Sequence, residues 1–252
     1  YMYRLNRYFK RYRIKSLVIF VLLVAYYFCL PQVLFKDSTA TVITGSSNEL
    51  LGALIADDEQ WRFPATKHVP EKFKICILQF EDEYFYKHPG FNPISIFKAL
   101  KGNLSSGSIK RGGSTITQQV IRLSRKGKSR TYFEKLKELI LATRLEFRLS
   151  KDNILNLYAS HAPFGGNVVG IDAASWRYFN RNASNLSWAE SAALAVLPNA
   201  PSLIYPGKNQ KRFLDKRNRL LKKLFEKGII DALTYTLSIV EDVPQKPYPL
   251  PQ

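Results

Sequence analysis

EKFKICILQFEDEYFYKHPG, residues 71–90, sets the fold class and holds the first candidate for chemistry. Phe73, Ile77, Phe80 and Tyr84 recur at helical spacing, so it predicts a helix with one buried face, stopped by His88-Pro89-Gly90. Its C-terminal part carries Glu81, Asp82 and Glu83 in a row, where the helix macrodipole disfavours negative charge. A carboxylate held there and partly desolvated has a raised pKa, as a general base working near neutrality requires. On these grounds alone a solvated helix end is the commoner reading.

The helical pattern continues downstream. Asn92-Pro93 reads as an N-cap with proline at the first helical position, opening a helix through about Leu104. Residues 105–113 and 125–130 are polar and basic and read as mobile. Leu136, Leu139, Ile140, Thr143 and Phe147 mark one face of a long helix ending near Leu149. Ser150 caps the next helix, with Ile154, Leu155 and Tyr158 inward. Ser187-Trp188-Ala189-Glu190 is a capping box for an alanine-rich buried helix that Pro198 terminates, and residues 212–227 form a basic amphipathic helix. Upstream, Thr41-Val42-Ile43-Thr44 and Glu49-Leu50-Leu51 flank a turn and predict a small hairpin. The body is therefore mainly α.

The 252 residues carry a net charge of +18, and such a body wants a polyanion: nucleic acid, an anionic membrane or a phosphate-bearing substrate. Arg4, Arg7, Lys10, Arg11, Arg13 and Lys15 precede the apolar run Leu17 to Leu30, which Val33, Leu34 and Phe35 extend. A cleaved signal peptide lacks small residues before a cut at residues 28–31, and a buried core helix would not follow six cations. The expectation is a cytoplasmic segment 1–15 and a transmembrane signal anchor 16–35, with the body outside a bacterial cytoplasmic membrane. That topology, and the lack of interleaved aromatic and basic residues, excludes nucleic acid as a partner. Cys29 and Cys76 read as small buried hydrophobes, and His68, His88 and His161 have no zinc-like spacing, so no protein-held metal site is predicted.

Four segments place polar residues where packing does not demand them. The first is Glu81 to Gly90. The second, GGSTITQQ (residues 112–119), turns sharply at its glycines, and Ser114 caps a new helix whose free N–H groups suit phosphate. Most such strings are only helix starts. In the third, Lys135-Leu136-Lys137-Glu138 continuing through Ala142 to Leu145-Glu146, the residues Glu138, Ala142 and Glu146 form one helical stripe, in which the alanine leaves space for a ligand or simply belongs to an exposed ion-paired face. The fourth, KDNILNLY (residues 151–158) followed by APFGG (residues 162–166), looks chiefly structural.

In this order the segments resemble glycosyltransferase family 51, the peptidoglycan polymerase domain of class A penicillin-binding proteins, and most closely its 1C branch. The resemblance covers about Glu71 to Pro206. It implies a lysozyme-like, mainly α glycosyltransferase domain at residues 67–228, with residues 36–66 as a membrane-proximal lobe and 229–252 as a linker. Relatives carry a transpeptidase after this domain, so the expectation is a fragment of a longer bifunctional protein. By the resemblance Glu81 is the catalytic base and Glu138 the second carboxylate. Asp82, Phe85, His88, Ser114, Thr115, Gln118, Gln119, Arg122, Arg130 and Lys137 hold substrate, which is lipid II and the growing glycan strand. The diphosphate leaves room for a divalent cation, Mg or Mn, and cell-wall synthesis proteins are expected partners. Arg122 stands where many members have lysine, Glu134 replaces an arginine, and Ser160 replaces an asparagine. The first two touch charge geometry; the third threatens a structural hydrogen bond. The rival readings are a lysozyme-like lytic enzyme and a non-enzymatic, membrane-tethered basic binding module.

Overall fold

The computed structural model describes residues 2–66, 68–93, 113–126 and 131–251. The expected helix over 92–104 and most of the two segments read as mobile lie outside them, as do Gly112 and Arg130. Among the described residues the chain is mainly helical: α1 (Met2–Phe28), α2 (Glu71–Glu81), α3 (Ile116–Ser124), α4 (Tyr132–Arg148), α5 (Lys151–His161), α6 (Ile171–Phe179), α7 (Trp188–Val196), α8 (Gln210–Glu226) and α9 (Ala232–Val240). The expected hairpin is present as β1 (Thr41–Thr44) and β2 (Leu50–Leu54), antiparallel, with the turn closed by Gly45 N–H onto the Glu49 carbonyl. A second, small sheet runs β3 (Trp61–Arg62), β5 (Val168–Val169), β4 (Pro163–Gly165) in spatial order.

The centre is α7. Ser187 and Glu190 close the reciprocal capping box, and every residue from Ala189 to Val196 is buried. Its alanines let α2 and α8 approach closely from either side, so the helix the sequence marked as buried is the one around which the body packs. Of residues 229–252, expected as a linker, 229–251 include α9 and then return over the body. Val243 and Leu250 are buried, and the Pro251 carbonyl accepts from Ala53 of β2.

Three expectations are corrected. The helix of residues 71–90 stops at Glu81 rather than at His88: Asp82 leaves helical geometry, and its carboxylate takes the Ile116 N–H at 3.0 Å. On α4 the apolar stripe points out, not in. Leu136, Ile140 and Phe147 are exposed, while Glu138, Leu141, Ala142 and Leu145 are buried. The ion pairs of Glu138 and the approach of Gly90 to Ala142 decide which face turns inward. Cys29, just past the end of α1, is exposed rather than buried; Cys76 is buried as expected.

Helix α1 ends at Phe28, so the apolar residues beyond it are not helical. No helix among the described residues is long and apolar enough to cross a membrane. Its C-terminal end rests on α4: the Tyr26 hydroxyl donates to Thr143 at 3.0 Å, Tyr26 meets Phe147 edge-on, and Arg144 lies over the Tyr27 ring.

After α1, Phe35 stacks on His161 with ring centroids 3.6 Å apart and planes 4° apart. They line an open cavity of ≈ 330 Å³ with Asp37, Arg62 and Lys126, a cavity that Glu81 does not line. Burial, seconded by Arg62 and opposed by Asp37, pulls the His161 pKa down to about 4. The folded chain therefore holds this proton less readily than the unfolded chain. His161 contributes stability above the ordinary histidine pKa of ~6.5, and that contribution is lost as pH falls towards 4. A His161→Gln variant is expected to show a smaller drop in Tm between about pH 7 and about pH 4.5 than the parent, measured by calorimetry.

Candidate active site

Glu81 is the last residue of α2. One carboxylate oxygen, Oε2, accepts from the Gln119 amide of α3 at 2.8 Å; the other, Oε1, is buried and has no hydrogen-bond partner among the described residues. Desolvation raises the carboxyl pKa, opposed by Gln119, Lys216, Asn199 and Arg122. The unpaired oxygen and the helix C-terminus act in the same direction, both favouring uptake of a proton.

The turn after Glu81 holds it in place. The Asp82 carboxylate meets His88 Nε2 at 3.0 Å and also takes the Ile116 N–H, while His88 Nδ1 accepts the Gly90 N–H at 3.2 Å. Nδ1 as an acceptor assigns the Nε2–H tautomer to a neutral His88. Gly90, at φ +91°, packs so close to Ala142 that a Cβ there would sit 2.9 Å from the Ala142 backbone. The space beside Ala142 is thus filled by the Gly90 backbone and not left for a ligand. Glu146, third in that stripe, accepts from Thr117 at 2.5 Å and from Lys151 at 2.7 Å, a tie between helices. Phe85 is buried under this turn with the Lys151 ammonium over its ring, so it supports the motif from the core.

The cap of α3 is Thr115, one residue later than expected: its hydroxyl oxygen accepts from Gln118 N–H, and the hydroxyl donates to the Gly90 carbonyl. Ser114 is left free to accept from Lys135 at 2.9 Å. Lys135 also donates to Gln118 Oε1 at 2.9 Å and to Glu138 at 2.6 Å. Arg122 forks onto the same Glu138 through Nε at 3.2 Å and Nη2 at 3.3 Å. Helix α3 therefore works as a ruler. Gln119 holds Glu81, and Arg122, one turn on, holds Glu138, so both carboxylates are registered by one rigid element.

The structure gathers most of the expected residues: Glu81 with Gln119, Asp82 with His88, Arg122 with Glu138, and Ser114, Gln118 and Glu138 around one ammonium. That ammonium belongs to Lys135, which opens the third segment at i, i+3 from Glu138 but is not among the residues expected to hold substrate. Lys137, the expected cation, instead lies over the Phe133 ring and 3.6 Å from Glu134. Glu134 is itself neutralised by Arg125 at 2.5 Å, so its replacement of an arginine leaves no bare negative charge. Ser160 accepts from the Thr66 N–H at 3.1 Å, keeping a structural hydrogen bond at that position. Three further groups act on Glu81 that were not among the expected site residues, although Tyr158 ends the fourth segment. The Tyr158 hydroxyl is buried with no partner among the described residues, and its pKa is raised by burial and by Glu81. Asn199 and Lys216 approach from the loop after α7 and from α8.

A family model described as transglycosylase matches residues 47–225, and the chain belongs to that family, glycosyltransferase family 51. It is 37% identical over 223 residues to penicillin-binding protein 1C of Escherichia coli K12, covering 88% of this chain and 29% of that protein. To penicillin-binding protein 1A of the same strain it is 38% identical over 181 residues, covering 71% of this chain and 21% of the other. Among solved structures, penicillin-binding protein 1A from Haemophilus influenzae superposes with a TM-score of 0.45 at 20% identity, over 83% of this chain and 21% of that one. The chain thus spans less than a third of the length of these relatives.

Proposed function

We propose that this chain is an inverting peptidoglycan glycosyltransferase that polymerises lipid II, with Glu81 as general base. The observation that carries it is the buried, unpaired Oε1 of Glu81 beside a cationic cluster registered on the same helix. Oε1 takes the proton from the 4-hydroxyl of the acceptor N-acetylglucosamine. That oxygen attacks the anomeric carbon of the donor N-acetylmuramic acid from the face opposite the diphosphate, forming the β-1,4 bond, and undecaprenyl diphosphate leaves. Gln119 orients the base through Oε2. Arg122 and Lys135 meet the charge that grows on the leaving group, Ser114 and Gln118 steady Lys135, and Glu138 holds both cations in fixed positions before substrate arrives. The Asp82–His88 pair holds the turn that presents Glu81. A lytic enzyme acting on a neutral glycan has no use for this cluster.

A divalent cation at the diphosphate finds no cluster of three or more carboxylates, imidazoles or thiols among the described residues, and Glu138 already answers two cations. No step here runs through a metal. The membrane reading rests on apolar surface. Leu17 to Leu23 of α1 are exposed, and the outward Phe133, Leu136, Ile140 and Phe147 of α4 adjoin the point where α1 docks. We propose that this apolar surface of α1 and α4 seats the chain on the outer side of the bacterial cytoplasmic membrane, where lipid II is presented. Incubation with lipid II, and separately with finished glycan strands, tests the activity. Polymer is expected from the first and no cleavage from the second; the reverse outcome overturns the proposal.

A further inference from the structure

Helix α3 is nine residues long and sets both carboxylates of the site, through Gln119 to Glu81 and through Arg122 to Glu138. Its N-terminal end is tied down by the Thr115 cap and by the Ile116 N–H on Asp82. Its other end runs into residues 125–130, which the sequence reads as mobile. Arg125 nevertheless pairs with Glu134 of α4 at 2.5 Å. Lys126 follows in the left-handed region, at φ +48°, and its N–H closes the helix onto the Leu123 carbonyl at 3.2 Å. Glycine is the usual residue at such a turn, because a Cβ is crowded there. Of the four other described non-glycine residues with positive φ, three are asparagines, which tolerate it. What a lysine adds at this turn is an ammonium, and it lies 2.6 Å from the Asp37 carboxylate.

Asp37 belongs to the strap of residues 29–40 that joins α1 to β1, and the strap is gripped on both sides of it. Two residues earlier Phe35 stacks on His161 of α5, and one residue later the Ser38 carbonyl accepts from Arg62 Nη1 at 2.6 Å. The Asp37 side chain is 16% exposed and that of Lys126 is 73% exposed, so the strap is the anchor and the lysine is what it holds. The hydrogen bond from Lys126, seconded by the charges of Lys126, Arg62 and His161, keeps the Asp37 carboxyl below the usual carboxylate range against its own burial.

We propose that Asp37 is a positioning residue for the glycosyl-transfer site: by clasping Lys126 it fixes the C-terminal end of α3 and so holds Arg122 in register with Glu138. The proposal rests on the reading of Glu81 and Glu138 as the working carboxylates, and it adds to them a residue of the strap, far from both in sequence. The clasp touches no substrate and acts through the helix. A helix end that shifts misplaces a cation preorganised for the leaving group, which lowers kcat more than it weakens substrate binding. An ion pair with one partner so exposed contributes little to folding, so its effect is on position rather than on stability.

Lys126→Met removes the clasp, keeps the apolar stem and alters only an exposed side chain, so the Tm should stay within about 3 °C of the parent. In lipid II polymerisation its kcat should fall about two- to fivefold while KM stays within about 1.5-fold. Asp37→Asn should fall in the same range, and the double variant should be no worse than the poorer single one, because both break one contact. Lys126→Arg, which can still reach the carboxylate, should keep at least about two-thirds of the parent kcat. Hydrogen exchange on the full chain in detergent reads the helix itself: the amides of Arg122 to Arg125 should exchange about three- to tenfold faster in both single variants. Unchanged exchange in both, an unchanged kcat in both, or losses that multiply in the double variant overturn the proposal. The exchange measurement needs no turnover. Faster exchange in a chain that does not polymerise lipid II would therefore leave the clasp standing and overturn the proposed function alone.

Discussion

Glu81→Gln is expected to lower lipid II polymerisation by about 10³-fold while leaving the fold intact, since general-base contributions run from about 10² to 10⁴. The substitution is isosteric, and the Gln119 amide can still donate to the remaining carbonyl oxygen. What disappears is the unpaired Oε1 to which the proposed mechanism gives the proton. Stability should move the other way. Burial raises this carboxyl's pKa in the folded chain, so folding becomes less favourable as pH rises from the free-carboxylate range through the raised value. At about pH 7–8 the Gln variant should therefore melt no lower than the parent, and calorimetry beside the polymerisation assay separates the two effects. Retained polymerisation would remove Glu81 from the mechanism. The same raised pKa gives the parent a rate that falls on acidification, starting above the ~4.3 of a free glutamate.

The second large effect is expected at Lys135, not Lys137. Lys135 touches Ser114, Gln118 and Glu138, so its ammonium is positioned from three sides before any substrate binds. Removing one preorganised donor from a site of developing charge costs about 10²–10³ in kcat. Lys135→Met should fall in that range, with the loss in kcat exceeding any rise in KM. Lys137 lies over Phe133 and near Glu134, and about 43% of its side chain is open to solvent, so Lys137→Met should change kcat by less than about threefold. Equal losses in the two variants would contradict the arrangement of the cluster.

A mainly α body, a buried central helix, most helix starts and the candidate for the base were all legible in the order of the residues, because each is a local property. A capping box, an alanine run and a proline specify the central helix before anything packs on it, and the ordered motifs name Glu81 whatever surrounds it. Facing and partners came only with packing in three dimensions. The apolar stripe of α4 could have been its inner face by periodicity. The inner face is instead the one that offers Glu138 to Arg122 and Lys135 and lets Gly90 reach Ala142, and Leu136, Ile140 and Phe147 are left outside. The end of α2 depended on a hydrogen bond from Ile116, far along the chain. The choice of Lys135 over Lys137 turned on which side of one helical turn met α3.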